Sequence, residues 1–204
     1  MRHMLILTGF LAACSGAETG TTTGAGTGGG GTTPGAFAAI LGDISARQAD
    51  FDAFASGSGA FTAPNDLPES GTATYSGLVS LSDGSGYALA GSVDVIADWD
   101  CCEVTGRVYD IVTQDDESLR GELDITHGEI DMTGDPNVAP IVRADVIGTL
   151  SSDAGAHVSD EFDPLLLEGN FVGPTYDWFQ GTIAGPITAP DGTHDVTGDL
   201  LGER

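Results

Sequence analysis

The chain has 204 residues, and its 31 Asp plus Glu against 6 Lys plus Arg give a formal net charge of −25. A charge of that size has to coat the surface, where it repels polyanions, so nucleic acid is excluded as a partner; solubility at high ionic strength or attraction of a basic partner remain as its uses. Three cysteines, two of them adjacent, are too few for a disulfide scaffold, so the fold must stand on one apolar core of single-domain size.

Residues 1–13 read as a secretory signal: Arg2 and His3, then the apolar run from Met4 to Leu11, then Ala12 and Ala13. That run falls far short of the ~20 residues a membrane-crossing helix requires. Leu11-Ala12-Ala13-Cys14 resembles the bacterial lipobox, which makes Cys14 the expected site of lipid attachment and the membrane the first expected partner. Ser15 resembles the sorting pattern of outer-membrane lipoproteins. Residues 14–36 follow as a tether: beyond Cys14 they contain no aliphatic side chain larger than alanine and no aromatic, and a flexible chain of this length spans ~25 Å. The G-x-G-x-x-G match at 24–29 has no strand before it and no helix after it, so it carries no dinucleotide reading.

From 37 to 56 the apolar residues Phe37, Ile40, Leu41, Ile44, Phe51, Phe54 and Ala55 gather on one stripe at helical spacing, with Asp43, Arg47, Asp50 and Asp52 mostly off it. This predicts an amphipathic helix, ended by Gly57 and Gly59 and packed on the rest of the domain. From 57 to 204 the period changes to two. Strands are expected at 72–81, 87–99, 103–113, 119–126, 128–133, 142–150, 165–172, 178–187 and 195–202, separated by Asp-Gly, Ser-Gly and Pro-Asp-Gly turn signals. Mid-strand glycines (Gly77, Gly91, Gly106, Gly121, Gly148, Gly169, Gly181) ease the bending that closure of a barrel demands. The expected fold is all-β: an eight-stranded antiparallel up-and-down barrel preceded by one amphipathic helix and a disordered tether.

No Gly-x-Ser-x-Gly elbow, P-loop or Cys-x-x-Cys occurs, so an enzyme is not expected. His127-Gly128-Glu129 lacks the Pro-Cys-x-x-Cys partner of a zinc deaminase and reads as a histidine at a hairpin turn. Asp115-Asp116-Glu117 lacks the spacing of a calcium loop and reads as a solvated turn. Cys101 and Cys102, on adjacent strand positions, point to opposite faces, one into the core and one near a turn, with a vicinal redox or metal pair as the alternative.

The runs Gly169-Asn170-Phe171-Val172-Gly173-Pro174, Gly181-Thr182-Ile183-Ala184-Gly185 and Val196 to Arg204 resemble the closing strands of the transferrin-binding protein B-like β-barrel, and Ser70 to Gly77 looks like its opening strand. The resemblance covers about residues 68–204 and implies a solute-binding surface lipoprotein, in a family that includes transferrin receptors, haem carriers and binders of complement regulators. The chain departs from the pattern at Val172, where the family commonly has an aromatic, and at Glu203, where it has a basic residue. The resemblance permits His157 and His194, placed in expected loops, to act as axial haem ligands.

The expected function is a membrane-anchored, monomeric binding module for a protein or an iron- or haem-related ligand at the outer membrane; the alternative is an acidic structural or protective envelope lipoprotein. The inward positions Tyr87, Leu89, Val93, Val95, Trp99, Leu123, Ile125 and Phe171 are bulky, so a filled interior is expected, with recognition at the loop segments 113–118, 134–140, 151–162 and 186–194.

Overall fold

The computed structural model describes residues 35–58, 61–63, 66–132 and 141–204. The signal, Cys14, the tether up to residue 34 and the segment 134–140 lie outside them. An α-helix, α1 (Ala36–Ser58), is followed by strands β1 (Thr72–Ser82), β2 (Ala88–Asp98), β3 (Glu103–Thr113), β4 (Leu123–Asp131), β5 (Ile141–Ser151), β6 (Ala156–Ser159), β7 (Leu165–Val172), β8 (Trp178–Ala189) and β9 (Gly192–Glu203). Neighbouring strands pair antiparallel from β1 to β5, β6 and β7 each pair with β5 on one side and β8 on the other, β8 pairs with β9, and β9 returns to pair with β1, which closes the sheet. The fold is the expected eight-stranded closed barrel, because β6 and β7 are two halves of one strand. Both lie along β5, β6 against residues 148–151 and β7 against 142–146.

Between those halves residues 160–164 leave the sheet. Pro164 has no N–H to give a neighbouring strand, which favours a break at this point. Ser159 bridges the gap: its buried hydroxyl donates to the Val146 carbonyl at 2.6 Å and accepts the Leu165 N–H at 3.0 Å. The short strand β6 was expected as loop, since four residues with one polar histidine give no alternation to detect.

Inward rows from all the long strands fill the barrel. Tyr75, Leu89, Leu123, Leu165, Phe171, Phe179, Ile183 and Leu200 are fully buried. A void among Val79, Leu89, Val108, Ile111 and Leu123 offers about 10 Å³, at the lower edge of the ~10–15 Å³ that one water requires. Curvature has a visible cause at Gly106, whose φ of 156° and whose position against the Asp94 carbonyl leave no room for a Cβ. The segment 119–126 forms a strand only from Leu123 onward. Before that, Ser118 bridges to Val112, Arg120 to Ser151, and buried Leu119 closes the barrel at that end. His127 sits inside β4, at φ 51° in a bulge against β5, and not at a hairpin turn; its Nδ1 meets Asp145 at 3.1 Å.

The helix packs on the outer wall, as its stripe predicts. Phe51, 6% exposed, meets the Trp178 ring edge-on at 5.5 Å and shares a cluster with Val172 and Leu201, flanked by Phe54 and Ala55. Burial of one such phenylalanine contributes about 1.5–3 kcal/mol. Two details differ from the expectation. Leu41 is exposed, and Arg47 lies on the packed face, where its guanidinium donates to the Ser76 carbonyl at 3.3 Å and sits 3.9 Å from Glu203. Val172 and Glu203 thus both lie against this helix.

Candidate functional site: the polar end of the barrel

The two ends of the barrel carry different chemistry. At the end with the β2–β3 turn and residues 173–177, Tyr75, Trp99, Phe171, Tyr176 and Phe179 form an aromatic plug, with Trp99 and Phe171 centroids 4.8 Å apart. The Tyr75 hydroxyl donates to the Tyr176 carbonyl at 3.0 Å, and Arg204 lies 4.6 Å over the Tyr176 ring. Segment 134–140, one of the four expected contact regions, lies outside the described residues. The thiols of Cys101 and Cys102 are here too. Both are free and exposed in the turn, with Cys102 at φ 55°, so neither is the core residue expected for one of them. Partial desolvation and the carboxylates of Asp98 and Glu103 hold the Cys101 thiol above its ordinary range, which keeps it protonated.

The opposite end gathers the other three expected segments and adds a fourth. After β1 the run Ser-Asp-Gly-Ser-Gly folds back on its own aspartate. Asp83 Oδ1 accepts the N–H groups of Ser85, Gly86 and Tyr87 at 2.7, 3.1 and 3.0 Å, and Oδ2 accepts the Ser85 hydroxyl at 2.7 Å. The same carboxylate meets His194 Nδ1 at 2.9 Å, while His194 Nε2 meets Asp191 at 3.1 Å. The Ser85 hydroxyl first, and His194 next, push the Asp83 carboxyl far below the usual carboxylate range. In return Asp83 and Asp191 raise the pKa of His194, which favours the imidazolium.

Tyr87 joins this pair to a second histidine. Its ring stacks on His194 at 4.1 Å and 11°, an arrangement that favours a charged imidazole over an aromatic face. Its hydroxyl lies 2.8 Å from His157 Nδ1. His157, on β6 and only 6% exposed, has its pKa lowered by burial and stays neutral where His194 is charged. Burial also raises the pKa of the Tyr87 hydroxyl.

Above this network opens a cleft of about 230 Å³, lined by Tyr87, Gln114, Asp115, Glu117, His157 and Asp191 among others. Asp116 faces away from it: at φ 64° it turns its carboxylate onto the first turn of α1 and accepts the Phe37 N–H at 2.8 Å. Gly35 makes that approach possible, since a Cβ there would collide with the Asp116 carboxylate. A larger hollow of about 490 Å³, lined by Ile96, Arg107 and Asp124, lies on the outer wall of β2–β4, where Arg107 is already paired with Asp94 and Glu122.

His194 is not free to act as an axial haem ligand. Both ring nitrogens of His194 are held by carboxylates, and the cleft is smaller than the roughly 300–1,000 Å³ of sites that take drug-sized ligands. Among the described residues no group of three or more His, Cys, Asp or Glu side chains is arranged to hold a metal ion.

The sequence places Tyr87 in the barrel interior, and it is half-buried at the mouth instead, packed against the core from its edge. His157 and His194 are in strands and not in loops. Asp83 was missed altogether. Its turn motif was legible, but its pairing with a residue 111 positions away depends on β9 closing onto β1.

No family model and no curated protein matches the chain. Among solved structures, intact Ap-TbpB with its N and C lobes is similar at a TM-score of 0.44 and 16% identity, over 71% of this chain and 28% of that one. The vaccine antigen transferrin-binding protein B from Haemophilus parasuis Hp5, as a single-residue mutant, is similar at 0.41 and 16%, over 71% of this chain and 29% of that one. The chain spans less than a third of the length of either.

Proposed function

We propose that the chain is an outer-membrane lipoprotein, acylated at Cys14 and tethered through residues 14–36, whose barrel is a monomeric, non-enzymatic module that recognises a protein partner through its polar end. The observation that carries this reading is the contrast between a barrel filled by its own side chains and an end where four segments converge on a cleft. A rigid core with polar convergent groups at one mouth suits recognition better than storage of a ligand inside.

Affinity capture with the immobilised full chain tests it. A partner retained by the parent and by a variant altered at Cys101 and Cys102, but lost when Asp115, Glu117 and Asp191 are neutralised, is the expected result. The acidic surface also spreads over the outer wall, at Asp94, Asp110, Glu122, Asp124 and Glu168, which favours the protective-envelope reading as the competitor. Capture that never depends on the polar end would favour that competitor. For the anchor, a Cys14→Ser variant should leave the membrane fraction; retention as firm as the parent's would contradict acylation there.

A further inference from the structure

We propose that Cys101 and Cys102 form a dithiol site that captures trivalent arsenic, as arsenous acid or an organic arsenical, at the end of the barrel opposite the cleft. Both thiols are free and exposed. In an extended strand their side chains would point to opposite faces; the turn, with Cys102 at φ 55°, removes that constraint and leaves both in solvent. The backbone around them is held from both sides. Asp98 Oδ1 accepts the Asp100 N–H at 3.0 Å, Asp100 Oδ2 accepts the Gly71 N–H at 3.1 Å, and the Cys102 carbonyl accepts the Ile130 N–H at 2.9 Å. A pair fixed in this way loses little freedom when one atom binds both sulfurs.

Adjacency and charge select the ligand. Across a trans peptide the two Cα atoms lie ~3.8 Å apart, below the ~4.4–6.8 Å that a disulfide spans, so the pair does not readily close on itself. An atom inserted between the sulfurs closes a larger ring and tolerates the short separation. Among the described residues no group of three or more ligating side chains is arranged to hold a metal ion, so four-coordinate Zn²⁺ is poorly served. A soft monovalent cation such as Cu⁺ would exchange for two protons and leave an anionic complex among Asp98, Asp100 and Glu103, where a Glu103 carboxylate oxygen already lies 3.8 Å from the Cys101 sulfur. Arsenous acid avoids that cost. It is uncharged at neutral pH, and with two protonated thiols As(OH)₃ gives (RS)₂AsOH and two molecules of water. Two As–O and two S–H bonds break, two As–S and two O–H bonds form, arsenic stays trivalent and no charge appears.

The test is treatment of the reduced full chain, not acylated at Cys14, with phenylarsine oxide in excess glutathione, read by intact mass and by mapping the thiols left open to iodoacetamide. One phenylarsenic adduct is expected, with Cys101 and Cys102 both shielded and Cys14 still alkylated, and 2,3-dimercaptopropanol should remove it. Cys101→Ser and Cys102→Ser should each weaken binding by about a hundredfold, since a single sulfur loses the second, intramolecular bond. Cys14→Ser should leave it unchanged. Glu103→Gln should alter it by less than about threefold, because neither reagent nor product is charged. No glutathione-resistant adduct in the parent, or one that persists in both serine variants at Cys101 and Cys102, overturns the proposal. A loss of about tenfold or more in Glu103→Gln overturns the neutral complex and with it the choice of arsenic.

Discussion

The two mouths of this barrel are built to opposite rules. One is stoppered by five aromatic rings, with the Tyr75 hydroxyl donating to the Tyr176 carbonyl. The other replaces rings with a tyrosine sandwiched into a histidine–carboxylate network and leaves a cleft above it. Apolar packing is non-directional and roughly proportional to area, whereas a polar network holds only while every partner is present. The aromatic end therefore sets stability, and the polar end sets shape and charge.

Breaking the aromatic end should have the largest effect. Phe171→Ala removes a fully buried ring that contacts Tyr75, Trp99 and Phe179, and should cost about 3–5 kcal/mol in denaturant unfolding. A loss under ~1 kcal/mol would mean the plug is not part of the core. Tyr87→Phe keeps the stack on His194 and deletes only the hydroxyl that His157 uses, so about 1 kcal/mol is expected. A loss as large as that of Phe171→Ala would erase the distinction between the ends.

The polar end also has a pH signature. His194 has its pKa raised in the fold, so its contribution is complete below the unfolded value of ~6.5 and fades as pH rises through the folded value. His157 has its pKa lowered, so it disfavours the fold as pH falls below ~6.5. The two oppose each other. In Tm measured at pH 5.5 and 8, His157→Gln should favour the acid condition relative to the parent, and His194→Gln the alkaline one. The same sign in both variants would contradict the opposite protonation of the two rings. Asp83, with its depressed pKa, adds stability that is lost only as pH falls well below the ordinary carboxylate range.

The smallest effect belongs to the excursion between β6 and β7. Phe162 is 89% exposed there, held by Asp160, whose Oδ1 accepts the N–H groups of Phe162 and Asp163 at 2.8 and 3.1 Å. Phe162→Ser should shift stability by no more than ~0.5 kcal/mol, since the strand on either side is pinned by Ser159.

Two rings of the aromatic end were legible in the sequence because alternation marks them: Trp99 and Phe171, with the inward row of β2, follow the period of two into the core, whereas Tyr75, Tyr176 and Phe179 were not singled out. The helix was legible for a similar reason, apart from Arg47, whose long apolar stem lets it share the packed stripe while its head reaches Ser76 and Glu203. The polar end was readable only in pieces. Its loops were recognised, and Asp83 sits in a plain turn motif, but the bonds joining Asp83 to His194 and Tyr87 to His157 cross the barrel seam and leave no local periodicity. Cys101 and Cys102 were misread because a tight turn at Asp100 ends the alternation just before them.

The most direct test of the polar end as the recognition surface is amide hydrogen exchange on the full chain, alone and saturated with its captured partner. Added protection confined to residues 83–87, 113–117, 154–157 and 190–194, with the β2–β3 turn and residues 173–177 unchanged, is the predicted result. Protection centred on the aromatic end, or on inward core strands with the polar end unaffected, would contradict the account.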